Sequence, residues 1–233
     1  PDVACLWEEL ENLSALQFLK IEFMNCINLS SLQGLEKFLG AATSLDTLAL
    51  DFGGCRLLSS LKPLSQGLAR ARKLKHCKLT FYVQSSESIE GFDVALRAMT
   101  ELESMCLVAS NIDDTILQTI AQGLGCLRGL KSLKVLFLVS SELSSLDQLG
   151  VAVSGLQKLA YLDLGFSGCP KITSVAAIAS CLQSVPRMDS LILDLKECGQ
   201  LKSIEGLGAA IRMMPLLRIL RLSFRQCDIL DIK

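Results

Sequence analysis

The chain has 233 residues, half of them hydrophobic, and its 23 basic and 24 acidic side chains leave a formal net charge of −1. A chain this apolar and this close to neutral is not intrinsically disordered, and it has no global charge that would attract nucleic acid or an anionic membrane. Its apolar runs, such as Val135–Val139, are far shorter than the ~20 residues that span a bilayer, so we expect its hydrophobic residues in a folded core.

The segment 1–13 predicts a helix whose own strand would precede it. Val3, Leu6 and Leu10 are spaced by three and four residues, which is typical of one apolar stripe on a helix. The same spacing recurs further along the sequence at Leu32, Leu35 and Leu39. We therefore interpret 1–13 as the helical half of a partial repeat.

From position 14 onward the sequence repeats with a period of about 29 residues, within the range that solenoid proteins use. The first apolar residue of each unit recurs at Leu16, Leu45, Leu74, Leu102, Leu130, Leu159, Met188 and Leu217. Repeats thus start near positions 14, 43, 72, 100, 128, 157 and 186, and a final incomplete repeat covers 215–233. A period kept through the whole chain indicates a repeat architecture. We expect one domain over 1–233, as a segment of a longer chain.

Each unit predicts a strand, a turn, a helix and a return loop. In the second unit, Leu48, Leu50 and Phe52 alternate with period two, like a strand with one face in a core. The segment 58–68 then carries leucine at spacings of three and four, as on one stripe of a helix. A serine whose hydroxyl can accept hydrogen bonds from the first helical turn precedes this stripe in five units. These serines are Ser31, Ser60, Ser145, Ser174 and Ser203.

Stacked side by side, such units bury a continuous leucine core between a parallel sheet and a row of helices. Strands in a sheet lie ~4.8 Å apart, whereas a helix is ~10 Å wide, so the stack must curve with the strands on its concave face. Connections between parallel strands are expected to be right-handed. The predicted fold class is therefore α/β, as a curved right-handed solenoid with helices on the convex face.

The repeated L-x-x-L-x-L segment resembles the leucine-rich repeat family in its longer, ribonuclease-inhibitor-like form. The family's segment continues as x-x-N/C, whereas here a phenylalanine extends the alternation before cysteine arrives, as at Phe52 and Cys55. We therefore expect strands longer than usual by about two residues. The resemblance covers the whole chain and implies a leucine-rich repeat solenoid.

Five of the ten cysteines occupy the same position of the repeat: Cys26, Cys55, Cys169, Cys198 and Cys227. We interpret them as a ladder of buried thiols at the turn after each strand. Other units carry Gln84, Asn111 and Ser140 there or nearby, which suits a structural position better than a disulfide. The sequence contains no C-x-x-C pair, so it does not suggest a zinc site. Unpaired thiols favour a reducing compartment, cytoplasm or nucleus, with an organelle left open.

We expect no catalytic, cofactor-binding or metal-binding residues. The only histidine, His76, lies at an outward strand position, while adjacent Cys77 points into the core, which disfavours a nucleophilic Cys–His pair. The glycines at 206 and 208 fall within a predicted helix, so they do not predict a dinucleotide site.

Strand alternation also predicts which side chains face outward from the concave sheet. At its middle lies an apolar patch with charged and aromatic side chains beside it, a pattern typical of protein-binding surfaces. The predicted partner-binding residues are Lys78, Tyr82, Cys106, Val108, Lys134, Leu136, Leu138 and Tyr161. A one-residue slip in the fourth and fifth units is the alternative, and it would turn the apolar side chains into the core.

The leading hypothesis is a non-catalytic protein-interaction module that binds a protein through the concave sheet or its uncapped ends. One alternative is an architectural or peripheral subunit of a large assembly, which leaves room for peripheral association with a membrane complex. Another, resting on resemblance alone, is an enzyme regulator similar to ribonuclease inhibitor or GTPase-activating repeat proteins. We expect no nucleic-acid partner and no transmembrane segment.

Overall fold

The computed structural model describes residues 3–228. Eight strands form one sheet in sequence order, and every neighbouring pair is parallel. The strands are β1 Phe18–Glu22, β2 Thr47–Phe52, β3 His76–Tyr82, β4 Ser104–Ser110, β5 Ser132–Leu138, β6 Tyr161–Gly165, β7 Ser190–Asp194 and β8 Ile219–Ser223. The predicted stack of repeats around one parallel sheet is confirmed.

A helix returns the chain from each strand to the next, and one further helix precedes β1. The helices are α1 Ala4–Leu10, α2 Leu35–Ala41, α3 Lys62–Leu68, α4 Phe92–Ala98, α5 Asp114–Leu124, α6 Asp147–Ser154, α7 Ala176–Leu182 and α8 Leu207–Arg212, with a 3-10 helix at Ser86–Ile89. Each helix packs against its neighbours in sequence order. Because helices are wider than the spacing of strands, this row forms the outer arc.

The core lies between the sheet and this row of helices. Leu48, Leu50, Leu191 and Leu193 are each at most 1% exposed, as strand alternation predicts. Trp7 of α1 is fully buried and its ring centroid lies 6.0 Å from that of Phe38, so α1 packs against that end of the core. At the other end, β8 leaves core-register leucines partly exposed.

The predicted extension of the strands is found only in the middle of the sheet. β3, β4 and β5 each have seven residues, whereas β1, β6, β7 and β8 have five. The three long strands belong to the units without a ladder cysteine. In the cysteine units the residue directly before the cysteine is left-handed, as at Gly54 and Gly168, but Asn111 and Val139, directly after β4 and β5, are left-handed too, so this turn residue does not set the strand length.

The serines before the helices act as predicted in three units. Ser60, Ser145 and Ser174 each accept a hydrogen bond from the N–H of the first helical residue, at 3.2, 3.1 and 3.0 Å. Ser31 and Ser203 make the same contact two residues along the chain, but their helices begin later. There the hydroxyl stabilises the preceding turn instead of the helix end.

Glycines let several helices approach one another closely. A Cβ added to Gly150 of α6 would lie 2.7 Å from the carbonyl oxygen of Ala177 in α7. One added to Gly123 of α5 would lie 2.6 Å from the Cβ of Leu96 in α4. No larger side chain fits these contacts, which sequence periodicity alone did not identify.

Candidate functional site

All eight predicted binding residues lie on the open face of the sheet. The register aligns Lys78, Cys106 and Lys134 on neighbouring strands β3, β4 and β5. Val108 and Leu136 are paired one row further along. The alternating residues of β4 and β5 are buried, with Leu107 and Val135 at 0% exposure, so the alternative of a one-residue slip is wrong.

Four apolar side chains form the mid-face patch, which we define as Cys106, Val108, Leu136 and Leu138. Each is half-buried, because neighbouring side chains of the face shield part of it while the outer surface stays open. The side chain of Leu136 leans across β6: a Cβ added to Gly165 would lie only 2.7 Å from its Cδ2 atom. Gly165 therefore makes room for the patch.

A polar cluster borders the patch on β5 and β6. The Lys134 Nζ lies 2.6 Å from the Asp163 Oδ2, and the Tyr161 hydroxyl donates to the same oxygen at 3.3 Å. The Asp163 side chain is 7% exposed, so this carboxylate is shielded by its neighbours. The predicted binding residues did not include Asp163, although it occupies the same outward strand position as Lys134 in the next repeat, and this alignment was the available signal.

The pKa values of Lys134 and Tyr161 are both raised, which favours the protonated form of each group. The hydrogen bond to Asp163 raises the pKa of the Lys134 ammonium. Burial, followed by the charge of Asp163, raises the pKa of the Tyr161 hydroxyl. At neutral pH, Lys134 is therefore a cation and Tyr161 a hydrogen-bond donor, both held against one carboxylate.

Ser190 on β7 is a second residue that the sequence did not single out. It is 3% exposed and is the register partner of Tyr161. Its Oγ is buried and has no hydrogen-bond partner within the described part of the chain. A buried hydroxyl without a hydrogen-bond partner is unusual. Ser190 therefore adds a buried polar group beside Tyr161 on the open face.

Three basic side chains of the face make no ion pair with any residue that the structure describes: Lys78 on β3, Arg221 on β8 and Arg225 just after it. All three are exposed. By contrast, Lys196 lies 3.1 Å from Asp194. The cations without a partner therefore lie toward the two sides of the mid-face patch.

The thiols on this part of the sheet are poor nucleophiles. Burial raises the pKa of Cys77 to about 12, and Cys77 faces the core while His76 is exposed on the opposite side. Burial also raises the pKa of Cys106, an effect that the charges of Lys78 and Lys134 partly offset. Among residues 3–228, no group of three or more His, Cys, Asp or Glu side chains could hold a metal ion.

The cysteine ladder connects successive repeats through thiol-to-carbonyl hydrogen bonds. The Sγ of Cys55 lies 3.1 Å from the carbonyl oxygen of Phe23, and the Sγ of Cys198 lies 3.2 Å from that of Phe166. In a unit without the cysteine, Asn111, at the turn position just before that of the cysteine, donates from its Nδ2 to the Val83 carbonyl oxygen of the preceding repeat at 2.7 Å. Four ladder thiols, Cys55, Cys169, Cys198 and Cys227, thus each bond to a carbonyl of the preceding repeat, and all ten cysteines are free.

One member of the ladder departs from the prediction of buried thiols. Cys26 is exposed, whereas Cys55, Cys169 and Cys198 are buried and Cys227 is half-buried. The reason is its place in the first described strand unit, where no preceding turn covers its sulfur. The interpretation as a buried ladder is therefore wrong for Cys26.

The structure is similar to the solved functional domain of InlJ from Listeria monocytogenes, which includes a cysteine ladder, with a TM-score of 0.51 and 13% sequence identity. The match covers 96% of this chain and 37% of the InlJ chain. The fold is an α/β leucine-rich repeat solenoid. No protein-family model matches the sequence, and no curated protein matches it.

No helix in the described range 3–228 combines the length and the apolar character that crossing a membrane requires. The longest helix, α5, has 11 residues, and Asp113 caps it by accepting a hydrogen bond from the Ile116 N–H at 2.7 Å.

Proposed function

We propose that this chain is a non-catalytic protein-interaction module that holds a protein partner against the mid-face patch. The observation that carries the proposal is the placement of Cys106, Val108, Leu136 and Leu138 side by side on an open sheet face. Exposed apolar patches bounded by charge are typical of protein-binding surfaces. The concave shape lets the solenoid contact a partner from several strands at once.

Backbone strain next to the patch supports the same proposal. Val139 directly follows Leu138, has a φ of 50° and is 76% exposed. A β-branched residue in the left-handed region is an outlier, and the corresponding turn positions elsewhere carry Gly, Asn, Glu or Gln, none of which is β-branched. Such strain tends to be retained where an exposed side chain has a function.

We also assign the repeats to the longer, ribonuclease-inhibitor-like form, because most units combine one strand with one helix. Their period of about 29 residues leaves room for both elements in each unit. This assignment supports a role through binding instead of chemistry. Regulation of an enzyme by binding is one use of such a surface, and the residues of the face do not single it out.

The test replaces one patch residue by a charge and compares it with the same change on the convex surface. Leu136→Asp adds a carboxylate to the mid-face patch, and Val151→Asp adds one to α6, where Val151 is 70% exposed. Proteins retained from the native extract by the wild-type chain and by Val151→Asp are expected to be lost with Leu136→Asp. Circular dichroism checks that both variants are folded. Equal retention by Leu136→Asp would refute the proposed site.

A further inference from the structure

The open face has an uneven charge distribution. From β3 to the turn just after β8 it carries five basic side chains, Lys78, Lys134, Lys196, Arg221 and Arg225, against two acidic ones, Asp163 and Asp194. On β1 and β2 the same face carries one basic and two acidic side chains, Lys20, Glu22 and Asp51. A cationic region therefore lies on a chain whose formal net charge is −1.

The charges near the centre of the face are already neutralised. Lys134 is paired with Asp163 at 2.6 Å, and Lys196 with Asp194 at 3.1 Å. The basic groups that still lack an acidic partner among the described residues are Lys78 on one side and Arg221 with Arg225 on the other. Lys78 interacts with Glu22 at a distance longer than an ion pair, so all three cations can still form an ion pair with an acidic group of a bound molecule.

The spacing of these cations defines the length of such a molecule. Lys78 lies on β3 and Arg221 on β8, which are five strand steps apart in the sheet. At ~4.8 Å for each step, the two positions are separated by ~24 Å along the sheet. The mid-face patch lies on β4 and β5, between these positions.

We infer that the partner binds through a segment that crosses the strands, with an apolar centre on the mid-face patch and acidic side chains ~24 Å apart toward Lys78 and toward Arg221 and Arg225. This inference rests on the proposed function, because it names the chemistry of the partner at the same face. Complementary charge at the edges selects the partner and speeds its association, while the apolar centre supplies affinity. A segment with basic ends is repelled.

A displayed library of random 16-residue peptides, selected on the immobilised protein, tests this inference. We expect enriched peptides to have an apolar centre with Asp or Glu on both sides, and to lose binding to Leu136→Asp. The double variant Lys78→Glu with Arg221→Glu is expected to weaken a selected peptide by about tenfold or more. Lys158→Glu is the control, because Lys158 is exposed in a return loop away from the face.

The outcomes separate the two proposals. Selected peptides that need Leu136 but lack acidic residues, or bind the double variant as well as Lys158→Glu, overturn the inference about charge and leave the proposed site standing. Peptides that bind Leu136→Asp unchanged, or no enrichment at all, overturn both. Acidic peptides sensitive to both the patch variant and the double variant support both.

Discussion

Replacing Gly150 by alanine tests how closely the outer helices pack. In an isolated helix this change stabilises by about 1 kcal/mol, because alanine has the higher helix propensity. Here the new Cβ would lie 2.7 Å from the carbonyl oxygen and 3.0 Å from the carbonyl carbon of Ala177, atoms of the α7 backbone that cannot rotate away. Overpacking of this kind costs about 1–3 kcal/mol, so we expect a net loss of about 1 kcal/mol.

Gly208→Ala is the matched control, since Gly208 lies in α8 and an added Cβ there meets no atom within 4 Å. It is expected to raise the free energy of unfolding by about 0.5 kcal/mol. Urea unfolding at 25 °C, followed by circular dichroism, compares both variants with the wild type. If Gly150→Ala is as stable as Gly208→Ala, the reasoning about close helix packing is wrong.

Three further predictions concern the polar cluster and the thiols. Asp163→Asn is expected to lower the free energy of unfolding by about 1–2 kcal/mol, because Lys134 loses its anionic partner. Glu22→Gln is the control: it removes the exposed pair with Lys20 and is expected to leave the urea midpoint unchanged. Cys198→Ala should cost about 1–2 kcal/mol, while alanine at exposed Cys126 should cost nothing measurable. Raising the pH from 7.5 to 9.5 under reducing conditions should also destabilise the protein. Burial raises the pKa of Cys198 to about 12, so above about pH 8.5 only the unfolded chain releases this proton. The free energy of unfolding is then expected to fall by about 1 kcal/mol for each such thiol. An unchanged urea midpoint would contradict this.

The fold was predictable because the repeat constrains it at several levels. Leucines at period two and at spacings of three and four specify strand and helix, and the constant period of the units specifies that strands pair in sequence order. The same register placed Val108 and Leu136 on the open face, where the structure has them. Predicting the position of these two side chains required no information on long-range contacts beyond the repeat itself.

Features that depend on contacts between repeats were not predictable from one unit. The exposure of Cys26 follows from the lack of a covering turn, and the room that Gly165 gives Leu136 follows from the direction of one side chain. The pairing of Lys134 with Asp163 required comparing the same outward strand position in two successive repeats. Phenylalanine alone overstated strand length, since β1, β6 and β8 end directly before Phe23, Phe166 and Phe224.

Site-specific photo-crosslinking tests the central claim most directly. A benzophenone amino acid placed at Leu136 reports what lies against the mid-face patch, and the same group at Val151 reports on the convex surface, where that residue is 70% exposed. After irradiation in the native extract, the account predicts a discrete crosslinked protein from position 136 and none from position 151. A crosslink from position 151 alone, or equal yields from both positions, would contradict it.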